Sequence, residues 1–334
     1  MSATTYKRFP RTATTLTAAL SVIIALATPA LGQGDAGFVA SWLEVPVEAR
    51  AAALGEAYTG LAAGGAGLIY NPGGIAADRS RRFTGSYRVM RLDRALSYAA
   101  LYLPLREEAT VAFSWRFADY GDAEVRSGPG DAQGTIGQSE SLLSLSFAKM
   151  FSQRVAVGAT GSYYLFDLDD ISANTVIFDA GVMFYIDHFL YDRETIGQGF
   201  LTDIQIGLAV KSPGSSLIID TDKGFPGENN GISFETEVPK KLVVGASARA
   251  YDKALLVAAD LEIHEELGAR GHFGAEYQVA RQLQLRAGLN RTAPTAGAGF
   301  LFELGKRRLM IDYAFQFDRV DEGSEHVFTL DFTF

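Results

Sequence analysis

The sequence predicts an all-β fold: a transmembrane antiparallel β-barrel of about 14 strands, with a small helical plug, or hatch, in its lumen. Three observations predict it. The last residues, His326 to Phe334, alternate strictly. Phe328, Leu330, Phe332 and Phe334 fall on one face of a strand, and Val327, Thr329, Asp331 and Thr333 on the other. Similar alternation recurs along the chain, in segments joined by alternately short and long connections. Hydrophobic residues make up 48% of the chain, with 22 Phe and 14 Tyr, yet beyond the amino terminus no charge-free apolar run is long enough for a spanning helix. An apolar strand left at the edge of a soluble sheet invites aggregation, and closure onto the first strand removes that edge.

Residues 1–32 read as a secretory signal. Lys7, Arg8 and Arg11 form a charged start, Leu16 to Ala27 an apolar middle too short for an anchor, and Ala30-Leu31-Gly32 a small-residue cleavage site. Cleavage is expected after Gly32, with Ala30 as the alternative. It removes three basic and no acidic residues, so the net charge moves from −9 to −12. An acidic chain without basic runs does not suit nucleic acid. Cysteine is absent, which excludes disulfides, thiolate chemistry and a lipid-anchored Cys.

Residues 33–80 form the expected plug. Ala49 to Leu61 favours a short helix, rich in Ala, Leu, Glu and Arg, and Gly64-Gly65 and Gly67 break it. Asn71-Pro72-Gly73-Gly74 is a turn, because Pro fixes φ and Gly permits positive φ. Small residues let this backbone pack closely inside a lumen, where Arg50 and Glu56 would meet charges on the wall.

Residues 81–334 carry the barrel. Strands are expected near residues 83–89, 95–103, 110–118, 141–150, 154–166, 174–187, 201–211, 240–251, 254–264, 270–279, 282–290, 295–304, 308–317 and 325–334. Val111, Phe113, Trp115 and Phe117 alternate with Ala112, Ser114, Arg116 and Ala118. Val176, Phe178, Ala180, Val182, Phe184 and Ile186 form an outward stripe, as do Ile204, Ile206, Leu208 and Val210. Short turns are expected at Asp252-Lys253, Ala280-Arg281 and Gly305-Lys306-Arg307. Long polar loops are expected over residues 119–138 and 212–238, facing outward. Within the second, Leu217-Ile218-Ile219 reads as a small extra strand or a lip over the pore.

Arg116, Asp179, Asp203, Arg249, Asp260, Glu262, Glu276, Arg286 and Asp312 sit mid-strand, opposite the apolar stripe. A charge facing lipid at mid-depth costs about 2–4 kcal/mol, so these residues are expected in the lumen. Arg286 is expected to pair with Glu276 or Asp312 across neighbouring strands and to hold the plug. Alternation alone does not separate this barrel from a soluble sandwich, whose polar face would meet water. The leader and the terminal Phe favour the barrel.

Catalytic chemistry is poorly served. His264 shares a strand face with Glu262, and His272 with Glu276, but each reads as a lumenal polar residue rather than a metal site or a hydrolytic pair. Ser144, Ser146, Ser162 and Ser247 lack a nucleophile-elbow turn, which counts against an outer-membrane lipase. Gly64-Gly65-Ala66-Gly67 lacks the Lys of a phosphate loop. Asp167-Leu168-Asp169-Asp170 lacks the spacing of a calcium loop and reads as a solvated turn. No cofactor is expected, and no enzyme activity.

The inner segment also resembles a known family. Val45-Pro46-Val47, Ala49-Arg50-Ala51, Ala53-Leu54-Gly55, Ala57-Tyr58-Thr59 and Tyr70-Asn71-Pro72-Gly73-Gly74-Ile75-Ala76 are similar to the amino-terminal signature of the PorV/PorQ family. That family in turn resembles the long-chain fatty-acid transporter FadL, whose hatch carries a similar Asn-Pro-Ala-Gly turn. Gly73 stands where Ala is usual, and Ala63-Gly64-Gly65 where acidic residues are common. Gly274-Ala275-Glu276-Tyr277, Leu285-Arg286-Ala287-Gly288 and Asp312-Tyr313-Ala314-Phe315 look like the family's closing hairpins. The terminal Phe pattern resembles the signal by which bacterial outer-membrane proteins are recognised for insertion. The resemblance implies a FadL-like monomeric barrel in the outer-membrane lipid, inserted by the barrel-assembly machinery. It implies a part in type IX secretion, with secreted cargo proteins and other type IX components as partners and the long loops as docking surfaces. The alternative is FadL-like uptake of long-chain fatty acids or other hydrophobic molecules, with plug movement and a lateral gap opening a path.

Overall fold

The computed structural model describes residues 39–106, 108–125, 134–169, 171–190, 199–221, 232–317 and 324–334. The expected leader lies outside them, as do the tips of the long connections and Asp170. The described strands are β1 Arg82–Val89, β2 Ala95–Arg106, β3 Ala109–Val125, β4 Gly134–Ser152, β5 Val155–Leu168, β6 Ile171–Tyr185, β7 Leu201–Lys211, β8 Ser216–Thr221, β9 Ile232–Glu237, β10 Lys241–Ala250, β11 Leu255–His264, β12 Gly268–Gln278, β13 Leu283–Asn290, β14 Ala293–Leu304, β15 Arg307–Phe317 and β16 Ser324–Thr333. All but β8 and β9 form one closed antiparallel barrel of 14 strands. The count matches the sequence expectation, and no described helix is long and apolar enough to cross a membrane.

Closure is made by the first and last strands. They pair from Arg82↔Thr333 to Val89↔His326, and the Phe334 amide extends the ladder to the Arg81 carbonyl at 2.9 Å. No barrel strand is left with a free edge. Alternation then sorts the side chains. Phe113, Leu145, Phe147, Phe328 and Leu330 point outward and stay about half exposed. Arg116, Asp260, Glu262, Glu276, Arg286 and Asp312 point inward and are buried. One inward turn is irregular. The ladder between β7 and β10 slips at Ser247/Arg249, where Asp203 takes a left-handed φ of 50°, and the slip turns Ile204 away from the outward stripe into a buried position.

The two long loops are shorter than the sequence suggests. β3 and β4 run to 17 and 19 residues, and after a slip at Asp119/Asp122 they stay paired from Asp122↔Gly137 to Val125↔Gly134. Main-chain bonds continue the ladder there without an apolar face, so alternation gives no sign of it. Within residues 212–238, β8 and β9 form a separate hairpin. Leu217 and Ile219 are buried, Ile218 is exposed, and the Thr175 hydroxyl of β6 donates to the Ser216 carbonyl. Leu217-Ile218-Ile219 is thus strand. The end of the barrel that carries Arg82 and Phe334 is the terminal end. The opposite end, with the longer connections, is the loop end.

Residues 39–80 run inside the barrel. They comprise 3-10 turns at Ser41–Glu44, Gly64–Ala66 and Pro72–Ala77 and helices at Ala49–Ala53 and Gly67–Tyr70. The helix expected over residues 49–61 stops at Ala53. Gly55 and Glu56 follow with φ of 63° and 67°, which reverses the chain onto the wall. Helix propensity over this stretch is worth only a few tenths of a kcal/mol per residue, about what one good packing contact overrides.

Candidate functional site

The inner segment meets the barrel through its main chain. Glycines point inward from β5, β7, β10, β12 and β13, and segment backbone lies against each. A Cβ built on Gly158 would stand 2.4 Å from the Pro72 carbonyl, on Gly207 2.0 Å from the Thr59 carbonyl oxygen, and on Gly245 2.5 Å from the Gly60 nitrogen. On Gly274 it would stand 2.4 Å from the Leu54 oxygen, and on Gly288 2.3 Å from the Gly55 nitrogen. Any side chain would displace the segment. On β11, which lies between these strands, Asp260 takes the place of a glycine. Its carboxylate accepts from the Tyr58 and Thr59 amides at 2.9 and 2.7 Å. Sequence reasoning missed this belt. Its trace was there: one glycine at lumen-facing parity in strand after strand.

The turn residues Asn71, Pro72, Gly73 and Gly74 sit at one end of the belt. Asn71 is fully buried. Its amide donates to the Val182 carbonyl at 3.0 Å and the Thr59 carbonyl at 3.2 Å, and its Oδ1 accepts from the Gly73 amide at 3.0 Å. Asn71 thus ties two parts of the inner segment to β6. A Cβ on Gly181 would lie 2.0 Å from Asn71 Oδ1, and one on Gly74 2.2 Å from the Ala62 Cβ.

Arg50, Glu276, Arg286 and Asp312 come together at the other end. Arg50 grips Glu276 with two bonds, at 2.8 and 2.9 Å, and Arg286 donates to the same carboxylate at 2.7 Å. Glu276 and Arg286 are cross-strand partners. Arg286 also donates to Asp312 at 2.5 Å, although β14 lies between their strands. Gly299 makes the reach possible, since a Cβ there would stand 2.3 Å from Asp312 Oδ1. Such shared, bidentate pairs are the strong ones when buried. Arg50 also donates to the Tyr58 hydroxyl, which donates to the Ala63 carbonyl. Glu56 lies apart from this group and accepts from the Asn290 amide. Burial, with the Asp312 carboxylate nearby, pushes the Glu48 carboxyl up to about 7.

The outward face of β16 holds Phe328, Leu330 and Phe332, and Phe334 follows directly after the strand, with its ring stacked on that of Phe332 at 5.7 Å. The histidines are used structurally. His272 Nδ1 lies 3.0 Å from the Gly55 carbonyl, His264 Nδ1 accepts from the Glu266 and Leu267 amides, and His326 pairs with the Tyr313 hydroxyl. Among the described residues no three or more metal-ligating side chains gather.

Three spaces stand out among the described residues. At the loop end, a partly enclosed cavity of about 70 Å³ lies between residues 40–45, Glu56, Thr59, Ile69 and Tyr70 and the wall. Its apolar lining includes Leu142, Ile177 and Val238. Its charges include the pairs Lys211–Asp179 at 2.6 Å and Lys241–Glu44 at 2.7 Å, together with Arg116. A second space of about 220 Å³ surrounds Arg50, Glu276 and Arg286 toward the terminal end. The third, about 650 Å³, is an apolar groove on the outward face of β1 to β6, between Phe83, Trp115 and Tyr163. Ser162 borders both this groove and the loop-end cavity, so only the strand itself separates them.

No protein-family model matches the chain, and no curated protein matches it. Solved structures do. The Pseudomonas putida toluene transporter TodX superposes with a TM-score of 0.57 at 13% identity, over 85% of this chain and 96% of that one. A Pseudomonas aeruginosa FadL homologue superposes with a TM-score of 0.56 at 13% identity, over 90% of this chain and 99% of that one. At such identity the likeness concerns the fold. The chain therefore has a FadL-like fold, a closed 14-stranded antiparallel barrel with its amino-terminal segment packed inside.

Proposed function

We propose that the chain is a non-enzymatic outer-membrane barrel that admits hydrophobic molecules, with residues 39–80 as a plug. The continuous outward apolar face suits lipid, and the inward charges suit a hydrated or plugged lumen. The solved structures of similar fold include a toluene transporter and a FadL homologue.

One observation carries the reading. The plug leaves about 70 Å³ at the loop end, while an apolar groove of about 650 Å³ on the outer wall meets the same Ser162. Ligand pockets commonly span about 300–1,000 Å³, so passage of a hydrophobic molecule requires residues 39–45 to move. The glycine belt holds residues 54–74 against the wall. The stretch before Pro46 is held without glycine seats, through Glu44–Lys241, the Trp42 ring on Arg116 and the burial of Ala40 and Trp42 in an apolar cluster. A lateral exit beside Ser162 would deliver cargo to the membrane.

A second reading is a PorV/PorQ-like part in type IX secretion. The inner-segment resemblance favours it, and so does the loop end, where the long β3 and β4 and the β8–β9 hairpin offer a surface for a secreted protein. The barrel-assembly machinery would read Phe328, Leu330, Phe332 and Phe334 in either case, and a monomer suffices for both.

A deletion strain separates them. Loss of growth on hydrophobic carbon sources with an unchanged secreted-protein profile supports uptake. Altered secretion with unchanged growth overturns uptake in favour of export.

A further inference from the structure

We propose that the outer wall at the terminal end binds an anionic phospholipid, with Lys149 and Arg154 receiving the headgroup phosphate and the apolar groove beyond them receiving an acyl chain. This rests on the reading of the chain as an outer-membrane barrel.

Lys149 and Arg154 flank the turn between β4 and β5, at the terminal end, and both are exposed. Each lies on an aromatic ring. Lys149 Nζ is 5.8 Å from the centre of the Phe151 ring, and the Arg154 guanidinium carbon is 5.0 Å from that of Phe189. Phe151 is 69% exposed and Phe189 50%, as is Leu190 beside it in the short helix Asp187–Leu190, at 53%. Arg154 gives its Nε–H to the His188 carbonyl at 2.8 Å, which fixes the guanidinium against that helix. Among the described residues neither cation forms an ion pair. Glu108, on the adjoining turn between β2 and β3, offers its main-chain carbonyl to the Met150 amide at 2.7 Å. Cations at other turns of this end are paired: Lys253 with Asp203 at 3.0 Å and Arg281 with Glu303 at 3.1 Å.

Cations set on exposed rings at the end of a membrane strand belong to the interface, where rings settle at headgroup level and long side chains reach for phosphate. A ring attracts the charge but satisfies no N–H, whereas a phosphodiester accepts from the ammonium and from the guanidinium together. The tail has a track. From Lys149 the outward side of β4 runs through Phe147 to Leu145, four residues or about 13 Å on, within the ~15 Å of one leaflet. Leu145 lines the outer groove of about 650 Å³. The floor of the groove is main chain, because Ala100, Ser114, Ser144 and Ser162 pair across β2 to β5 and bury their side chains inward. Trp115 and Leu143 wall it on one side, Phe113 and Leu145 on the other. A zwitterionic headgroup carries its own ammonium, which competes with Lys149 and Arg154 for the phosphate. Phosphatidylglycerol carries none, so the site favours it.

Trp115 reports on the groove, and the only other tryptophan, Trp42, is buried inside the barrel. The full chain carrying Trp42→Phe is inserted into phosphatidylcholine vesicles, and Trp115 emission is titrated with phosphatidylglycerol or phosphatidylcholine brominated at mid-chain. The expected result is stronger quenching by the brominated phosphatidylglycerol, a preference of at least about threefold that falls in high salt. Lys149→Gln with Arg154→Gln is expected to equalise the two lipids. Arg281→Gln, at another turn of the same end, is expected to keep the preference, with unboiled gel mobility unchanged in every variant. Equal quenching by the two lipids before any charge is removed, or a preference that survives the double substitution, would overturn the proposal while leaving the barrel in its membrane. So would an equal loss in Arg281→Gln, which would assign the preference to diffuse charge. No quenching by either lipid would sink the membrane reading, and the site with it.

Discussion

At the residue scale, two positions separate packing from charge. Gly181 faces Asn71, and a Cβ there would stand 2.0 Å from Asn71 Oδ1. Gly181→Val overfills that contact, a change worth about 1–3 kcal/mol. The expected outcome is at least tenfold faster amide exchange over residues 54–74, while Gly134→Val, where a Cβ meets nothing within 4 Å, leaves exchange unchanged. Equal exchange in both variants would show that the belt does not hold the plug. Glu48 tests charge. Its carboxyl, on the inner segment, is raised from 4.5 to about 7 by burial and by Asp312, while Arg286 and Arg50 pull it back. The sign follows from proton binding: the docked segment holds a proton that the free segment releases, so docking is firmest below pH 4.5 and weakens as pH rises through 7. The full difference is about 3 kcal/mol. Amide exchange over residues 48–53, corrected for its intrinsic rate, is expected to quicken from pH 5 to pH 8 in the parent chain and to stay flat in Glu48→Gln.

At the element scale, the terminal strand and the extra hairpin play opposite parts. β16 is paired on both sides, to β1 and β15, so its loss opens two edges at once. Phe332→Ser with Phe334→Ser is expected to lower the membrane-inserted yield severalfold, read by fractionation, with any inserted protein still closed. The hairpin stands outside the ladder, since β7 pairs directly with β10 from Lys241↔Lys211 onward. Replacing residues 216–237 by a short Gly-Ser linker is expected to leave the barrel folded. Unfolding of that variant would mean that β8 supports β6 more than its contacts suggest. The elements also show what was legible. Strands with an apolar face, such as β3 over residues 110–118 and β16, were readable from period-two alternation. The polar extension of β3 and β4 was not, because its pairing is main chain to main chain. The inner helix was overextended for the reverse reason: local propensity over residues 54–61 favours a helix, while Gly55 and Glu56 answer to the wall.

At the scale of the whole molecule, closure and membrane insertion are expected to go together. The purified chain is expected to need detergent and to migrate differently on gels when left unboiled, because a closed ladder of 14 strands resists detergent unfolding at room temperature. Identical mobility before and after boiling would count against the closed barrel. The candidate site was partly visible from sequence. Arg286 with Glu276 and Asp312 could be paired in advance, since inward charges on neighbouring strands have few other partners. Arg50 and Glu56 are both expected to meet those wall charges, and Arg50 lies on Glu276; Glu56 standing apart on Asn290 and Arg116 left without a carboxylate were not legible.

The sequence by itself determined the strands and the two faces of each, because alternation is a local property that the pleat converts directly into two faces; closure into a barrel is decided by the pairing of β1 with β16. Only the tertiary structure decided how the inner segment is held. Its seats are single glycines on strands far apart in the chain, and a missing side chain has meaning only once the backbone that fills its place is known. The same holds for Arg116, whose lack of a counter-charge emerges only after Asp179 and Glu44 are seen to be engaged by Lys211 and Lys241.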